Sequence, residues 1–108
     1  MKQIIGKHSV LAVLYRHIGA DKAIGVAQLS KQVGISPRCI RRLITELRME
    51  GNAICGHPST GYYVAETADE LEQTCAFLKH RALHSLTLAS RLSNVPLPDL
   101  LGQLHLTT

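Results

Sequence analysis

The sequence predicts a mainly α-helical fold with one small β-hairpin, an α+β arrangement that ends in a long helix. Several stretches carry apolar residues every three or four positions, as amphipathic helices do. Two β-prone runs, 53–55 and 62–64, flank a turn rich in Gly, Pro and Ser, which is typical of a hairpin. A capping-box sequence begins at Thr67, with Glu70 three positions later, and opens a helix predicted over residues 68–93.

The composition is that of a globular protein with an aliphatic core. Hydrophobic residues make up 45% of the 108 residues and charged residues 19%, which excludes a disordered chain. The sequence shows neither an apolar run of transmembrane length nor a signal peptide, so we expect a cytoplasmic protein. Three cysteines, Cys39, Cys55 and Cys75, are an odd number without close spacing, which argues against a disulfide framework.

The charge is unevenly distributed along the chain. The formal net charge is +4, but residues 1–64 carry nine Lys and Arg against three Asp and Glu. Residues 65–108 carry three basic against five acidic residues. We therefore expect a polyanionic partner for the first part and a different role for the last third.

Two helices are predicted before the most basic segment. The first spans residues 8–19, with Gly19 as the residue that ends it. The second spans residues 26–33 and is stopped by Gly34. Both carry apolar residues at helical spacing, so each is expected to bury one face.

A third helix is predicted from Ser36 or Pro37 to about Glu50, because Ser is a favoured N-cap and Pro a favoured first helical residue. Its predicted buried stripe is Ile40, Leu43, Ile44 and Leu47. The opposite face then presents Arg38, Arg41, Arg42, Thr45 and Arg48. Arginine suits contact with DNA, because its planar fork binds guanine edges or phosphate. A solvated basic face without a partner is the alternative.

Three segments resemble a winged helix-turn-helix, in particular the DNA-binding domain of biotin operon repressors and related small phage and bacterial proteins. Residues 26–36 (VAQLSKQVGIS) resemble the start of the helix-turn-helix, and residues 36–48 (SPRCIRRLITELR) resemble its recognition helix. Gly51 followed by Gly-Tyr-Tyr-Val at 61–64 resembles the wing. The resemblance covers residues 8–66 and implies a DNA-binding domain over residues 1–66 that reads the major groove with helix 36–50.

The residues expected to contact DNA lie on the second and third helices and at the wing tip. They are Gln28, Lys31, Ser36, Arg38, Arg41, Arg42, Thr45, Arg48, His57, Ser59 and Thr60.

The wing departs from the pattern of related domains, whose hairpin tip usually offers basic residues. Here the tip has only His57, Ser59 and Thr60 as polar groups, so weak phosphate contact and a purely structural role both stay open. Tyr62 and Tyr63 alternate across the strand, which predicts that one is in the core and the other reaches the DNA or covers a helix.

Residues 67–108 are predicted to form a long helix and a tail that serve in dimerisation. An apolar stripe recurs every three or four residues on the helix, and further apolar residues widen it beyond what one domain can cover. The predicted dimer residues are Leu71, Cys75, Leu78, Ala82, Leu86, Ala89 and Leu92. A two-fold dimer would present two recognition helices to half-sites about 34 Å apart or a multiple of that. The alternative is a monomer whose tail, residues 97–106, folds back over the helix.

Other reactive residues have simpler interpretations. His80 and His84 are one helical turn apart, a spacing that can bind zinc, but no third ligand completes the motif, so two surface histidines are expected. Cys39 beside Arg38 is a conceivable redox group, although a small residue tolerated near DNA is the simpler interpretation. The three cysteines lack the close spacing of the iron–sulfur cluster in Rrf2-type regulators.

No grouping typical of catalysis stands out, so we expect a protein that is not an enzyme and uses no cofactor or metal. The sequence favours a dimeric, sequence-specific regulator of transcription, a repressor of phage or bacterial type that binds double-stranded DNA. The alternative is a winged-helix interaction module, such as a phage inhibitor or a replication or partition adaptor, that binds a host protein.

Overall fold

A computed structural model describes residues 2–57 and 59–103, with side chains from residue 6 onward. It is mainly helical with one two-stranded antiparallel sheet, as predicted. The elements are α1 (Lys2–Leu14), a short 3₁₀ helix (Ala20–Lys22), α2 (Val26–Val33), α3 (Pro37–Met49), β1 (Ile54–His57), β2 (Gly61–Val64), α4 (Ala68–Ser93) and α5 (Leu97–Gln103). Pro58 of the predicted turn and tail residues 104–108 lie outside the described residues.

The contacts divide the chain into two compact units that meet in sequence between Thr74 and Cys75, inside α4. The predicted boundary after residue 66 stays a prediction. In the first unit, α1, α2 and α3 pack together over one side of the hairpin. The core is aliphatic, and its fully buried members include Val10, Leu14, Leu29, Ile40, Ile44 and Leu47.

The segment between α1 and α2 also bonds to the hairpin, through two isolated bridges on either side of the 3₁₀ helix that the sequence analysis missed. β1 pairs with β2 in a register that sets Ile54 opposite Val64. The segment after α1 runs along the other side of β2, where the Gly19 amide donates to the Val64 carbonyl at 2.9 Å. Ile24 and Tyr62 exchange two backbone hydrogen bonds of 2.9 and 2.8 Å. Both edges of β2 are therefore paired, which holds the hairpin against the helical layer.

The first helix differs from its prediction. It spans Lys2–Leu14 and not residues 8–19, and Gly19 does not end it. The chain leaves the helix after Leu14 because the next residues pair with β2, and Gly19, at φ 96°, precedes the 3₁₀ helix instead. Tertiary pairing with β2 thus overrides a local apolar pattern that continues to Ile18.

The second unit consists of the greater part of α4 and the helix α5, which was not predicted. α4 ends at Ser93, and Asn94 adopts a left-handed conformation with φ 56°. The Val95 amide donates to the Ser90 carbonyl at 3.1 Å, and α5 then starts at Leu97. Pro96 directly precedes α5 and Pro98 is its second residue, since Pro is tolerated in a first helical turn.

Candidate nucleic-acid interface

Helix α3 has the two-sided character that the sequence predicts. Its predicted stripe is confirmed, because Ile40, Leu43, Ile44 and Leu47 are all at most 2% exposed. These side chains pack against α1, α2 and the hairpin core. The stripe fixes the rotation of the helix about its axis, and everything on the opposite face is left to solvent.

The start of α3 is set by a tight turn after α2. Gly34 adopts the left-handed conformation, and its amide donates to the Ser30 carbonyl at 2.8 Å, which ends α2. Ser36 then caps α3 as predicted, since its Oγ accepts from the Cys39 amide at 3.3 Å, and Pro37 is the first helical residue. The exposed N-terminal turn therefore presents amide groups and a hydroxyl beside the first arginine.

The exposed face of α3 is centred on Arg38, Arg42 and Thr45. At about 100° per residue these side chains lie within about 60° of one another on the helix. Met49 extends the same face by one turn and is 84% exposed, a position that the sequence analysis did not single out. Its signal was available, because an apolar residue on the polar face of an amphipathic helix is a departure from the pattern. Arg38, Arg42 and the partly exposed Cys39 also line a surface pocket.

The guanidinium groups of this face differ in how they are held. Arg42 lies 3.8 Å from the Glu46 carboxylate one turn later, and both side chains are about half exposed, so this pair is weak. Among the residues described, no hydrogen bond or ion pair holds the guanidinium of Arg38 or Arg41. The Thr45 hydroxyl donates to the Arg41 carbonyl at 3.1 Å and keeps its own lone pairs. Arg38 and Arg41 are thus available to an external anion.

Arg48 has a different environment from the other arginines. Its Nε donates to the Ile54 carbonyl at 2.8 Å and its Nη2 to the Gly56 carbonyl at 2.9 Å. Its guanidinium also lies over the Tyr62 ring, 5.6 Å from the centroid. These contacts occupy two of the guanidinium nitrogens, so we interpret Arg48 as a residue that holds α3 against β1. Its contact with DNA stays a prediction.

Acidic side chains at the end of α3 are paired with α1. The Lys7 ammonium lies 3.7 Å from the Glu46 carboxylate and forms a closer ion pair with Glu50. The hydrogen bond to Glu50 and the charges of both carboxylates raise the pKa of Lys7 above its usual value. Lys7 therefore compensates much of the negative charge that borders the arginine face.

The remaining predicted contacts are exposed but less concentrated. Gln28 and Lys31 are exposed on α2. At the hairpin tip the Ser59 hydroxyl and the Nδ1 of His57 are 2.6 Å apart, and Ser59 and Thr60 are exposed while His57 is partly buried. The tip residues contribute hydroxyl groups and an imidazole and no lysine or arginine.

Both tyrosines of β2 are buried, and Tyr63 lies against a helix, which is one of the two positions expected for the tyrosine outside the core. Tyr62 is 3% and Tyr63 9% exposed, and burial raises the pKa of both phenols. Arg48 covers Tyr62, and Tyr63 hydrogen-bonds with Thr74 at the start of α4. The alternation of the strand thus directs the two side chains to different helices, and both are buried.

On α4 the predicted dimer residues are largely exposed. Leu71 and Leu78 are 39% and 42% exposed and Leu92 is 86% exposed. Cys75, Ala82 and Ala89 are exposed as well, whereas Leu86 is partly buried.

Neither the histidines nor the cysteines form a larger cluster in the part of the chain that is described. His80 and His84 are exposed and line a small surface pocket with Leu83 and Thr87. No group of three or more His, Cys, Asp or Glu that could hold a metal occurs among the described residues. Cys39, Cys55 and Cys75 form no disulfide with one another.

No family model, curated protein or solved structure matches the chain. None of the helices described combines the length and the apolar character needed to cross a membrane.

Proposed function

We propose that this chain is a sequence-specific double-stranded DNA-binding protein built on a winged helix-turn-helix, and that it acts as a dimeric transcriptional repressor of phage or bacterial type. α2 and α3 would be the helix-turn-helix and β1 and β2 the wing. One observation carries the proposal: the face of α3 opposite the core exposes Arg38, Arg41 and Arg42 with few internal partners. Such a regulator works in the bacterial cytosol, and the proposal includes no catalysis.

The chemistry of the face fits the major groove. Arg38 and Arg42 are neighbours at i and i+4, so two planar forks project side by side from the first two turns of the helix. A fork of this kind binds the O6 and N7 of guanine together, or a phosphate. Ser36 and the capped helix N-terminus suit a backbone phosphate beside them. Gln28 and Lys31 on α2 and the hydroxyls of Ser59 and Thr60 are weaker candidates for backbone contacts.

A random-site DNA selection with the wild-type chain, followed by titrations at several salt concentrations, tests this proposal. Arg41→Ala/Arg42→Ala is expected to lower affinity for the selected site at least tenfold. If both side chains contact phosphates, the slope of log K against log salt becomes shallower by about 1.8. The matched control is Arg16→Ala/Lys22→Ala, which removes two charges from exposed positions between α1 and α2. Equal affinity of the α3 variant and the wild type would overturn the proposal.

A second candidate function is a protein-interaction module that binds a host protein. It is favoured by the absence of basic residues from the hairpin tip and by the exposed apolar side chains of α4, such as Phe77, Leu88 and Leu92. This candidate predicts that the selection enriches no DNA sequence and that one host protein is captured stoichiometrically. A captured protein that dissociates on Leu88→Glu/Leu92→Glu and not on Arg41→Ala/Arg42→Ala would identify α4 as its binding surface.

A further inference from the structure

Thr45 offers a methyl group, and not a hydrogen-bond donor, on the exposed face of α3. The hydrogen of its hydroxyl is used within the helix, because Oγ1 donates to the Arg41 carbonyl at 3.1 Å. The side chain is exposed and belongs to the face opposite the buried stripe. Since the substituents of Cβ are staggered, an Oγ1 turned back towards the preceding turn leaves the γ-methyl group in another direction. The methyl group is therefore the part of Thr45 that an external partner can contact.

The exposed face of α3 changes from cationic to apolar along the helix. Arg38 and Arg42 occupy its N-terminal half, and Thr45 and Met49 follow on the same side. Met49 is 84% exposed and lies one turn after Thr45, so the two side chains are neighbours. Arg48, the basic residue of the last turn, directs its donors to two carbonyls of β1. The contact that Thr45 and Met49 can make with a partner is therefore mainly apolar.

The major groove of DNA contains one group that matches such a surface. The edges of the base pairs present hydrogen-bond donors and acceptors there, and thymine adds a C5 methyl group. The methyl group of a threonine is one of the side-chain groups that pack against it. Burial of a single methyl group changes a binding constant about fourfold at 25 °C, which is enough to favour one base at one position.

We propose that Thr45 is a specificity-determining residue of α3, whose γ-methyl group packs against the C5 methyl group of a thymine in the DNA site. The inference rests on the proposed function, and it names a base feature that the interface reads. Arg38 and Arg42 bind guanine edges or phosphates, whereas Thr45 makes the helix prefer thymine at one position of the site.

Deoxyuridine makes this contact measurable, because uracil lacks the C5 methyl group of thymine and keeps its hydrogen-bonding groups. The experiment starts from the DNA site that the wild-type chain selects from a random pool. Each thymine of that site is replaced in turn by deoxyuridine, and the full chain is titrated with every substituted duplex. Binding is expected to weaken about fourfold at one position, the sensitive position, when its methyl group is removed. Thymines that do not contact the protein serve as internal controls.

Two variants of nearly the same size assign the contact to the methyl group of Thr45. Thr45→Ser keeps the hydroxyl and lacks the methyl group, so it should bind thymine and uracil at the sensitive position with equal affinity. Thr45→Val keeps a methyl group at this place and lacks the hydroxyl, so it should retain the fourfold preference for thymine. If the Thr45 oxygen instead accepted a hydrogen bond from a base, Thr45→Ser would bind as tightly as the wild type and Thr45→Val would bind more weakly.

A Thr45→Ser chain that retains the full preference for thymine would refute the role of Thr45. A wild-type chain that binds every uracil-substituted site as tightly as the original site would refute it as well. Both results are obtained on a DNA site that the chain selects, so they leave the proposed function intact. A selection that enriches no sequence has a different meaning, because it overturns the proposed function and this inference together.

Discussion

The guanidinium of Arg48 lies 5.6 Å from the centre of the Tyr62 ring while it donates to two carbonyls of β1. Three contacts of one side chain thus join the last turn of α3 to both strands of the hairpin. Tyr62 is in turn paired through its backbone with Ile24, ahead of α2. The position of the arginine face relative to the hairpin therefore depends on Arg48 more than on any contact at the hairpin tip.

Replacing Arg48 tests this role through stability. Arg48→Lys is expected to lower the free energy of unfolding by about 1–2 kcal/mol, because a single ammonium cannot reach both carbonyls in the geometry of the fork. Arg48→Ala should cost more, since the packing over Tyr62 is lost as well. Urea denaturation measures both, with Arg38→Lys on the exposed face as the control. Equal stabilities of Arg48→Lys and Arg38→Lys would contradict the structural role of Arg48.

The parts of the fold that were predicted well depend on local signals. α2 and α4 have the predicted bounds, and α3 begins at the predicted cap, because caps and apolar periodicity act within a few residues. The capping box at the start of α4 is confirmed in both directions. The Glu70 amide donates to the Thr67 hydroxyl at 3.2 Å, and the Thr67 amide donates to the Glu70 carboxylate at 3.4 Å.

The parts that were missed depend on contacts between distant residues. Nothing local indicates that the segment from His17 to Ile24 pairs with β2, or that Arg48 turns towards β1 while Arg38 stays exposed. The candidate face of α3 could be predicted because, within one helix, the spacing of residues in the sequence determines which side chains share a face. The partners of each arginine could not be predicted, because they belong to elements whose placement only the folded chain defines.

The sequence analysis also overlooked a helix–helix turn that occurs twice in this chain. In each case a Ser hydroxyl donates to the carbonyl five residues later, and the residue before that carbonyl is left-handed. The two sets are Ser30, Gly34 and Ile35 between α2 and α3, and Ser90, Asn94 and Val95 between α4 and α5. The second set is harder to find because Asn replaces Gly.

Gly56 and Gly34 offer a paired test of backbone constraint. Both have positive φ, 90° and 73°, but a Cβ on Gly56 would lie 2.0 Å from the Gly61 carbonyl oxygen, whereas a Cβ on Gly34 meets nothing within 4 Å. Gly34→Ala should therefore cost about 1 kcal/mol, the penalty of the left-handed conformation alone. Gly56→Ala should cost about 3 kcal/mol or more, because the strands must separate. Thermal denaturation of both variants checks this. Similar losses of stability would show that the hairpin adjusts at Gly56 at little energetic cost.

Glu70 predicts a pH dependence of stability. Its carboxylate accepts from the backbone amides of Glu66 and Ala20, each at 2.8 Å, and of Thr67, and these bonds hold its pKa below the ordinary 4.5. The folded chain binds this proton less tightly than the unfolded chain, so the stabilisation is complete above about pH 5. It is lost as the pH falls through the lowered pKa of the folded state.

The measurement is the difference in Tm between the wild type and Glu70→Gln from pH 7 to pH 3.5. The wild type should melt higher at pH 7, and the difference should shrink as the pH falls below 4.5. Glu72→Gln on the same helix, exposed to solvent, makes the same change of charge and serves as the control. A difference that stays constant over this range would show that the ionised carboxylate of Glu70 adds no stability.

Glu46 sets a limit on the affinity of the proposed DNA-binding face. Its carboxylate lies 3.8 Å from Arg42 and 3.7 Å from Lys7, and its side chain is nearly half exposed beside the arginines. In contact with DNA, the Glu46 carboxylate would repel phosphates and would compete with them for the Arg42 guanidinium. Glu46→Gln is therefore expected to tighten binding several-fold at low salt, with a smaller gain at high salt because ions screen the repulsion. Titrations of the selected DNA site at 50 and 200 mM salt measure both effects, and Glu72→Gln controls for net charge. Weaker binding by Glu46→Gln would instead indicate that the carboxylate orients Arg42 or accepts from a cytosine amino group.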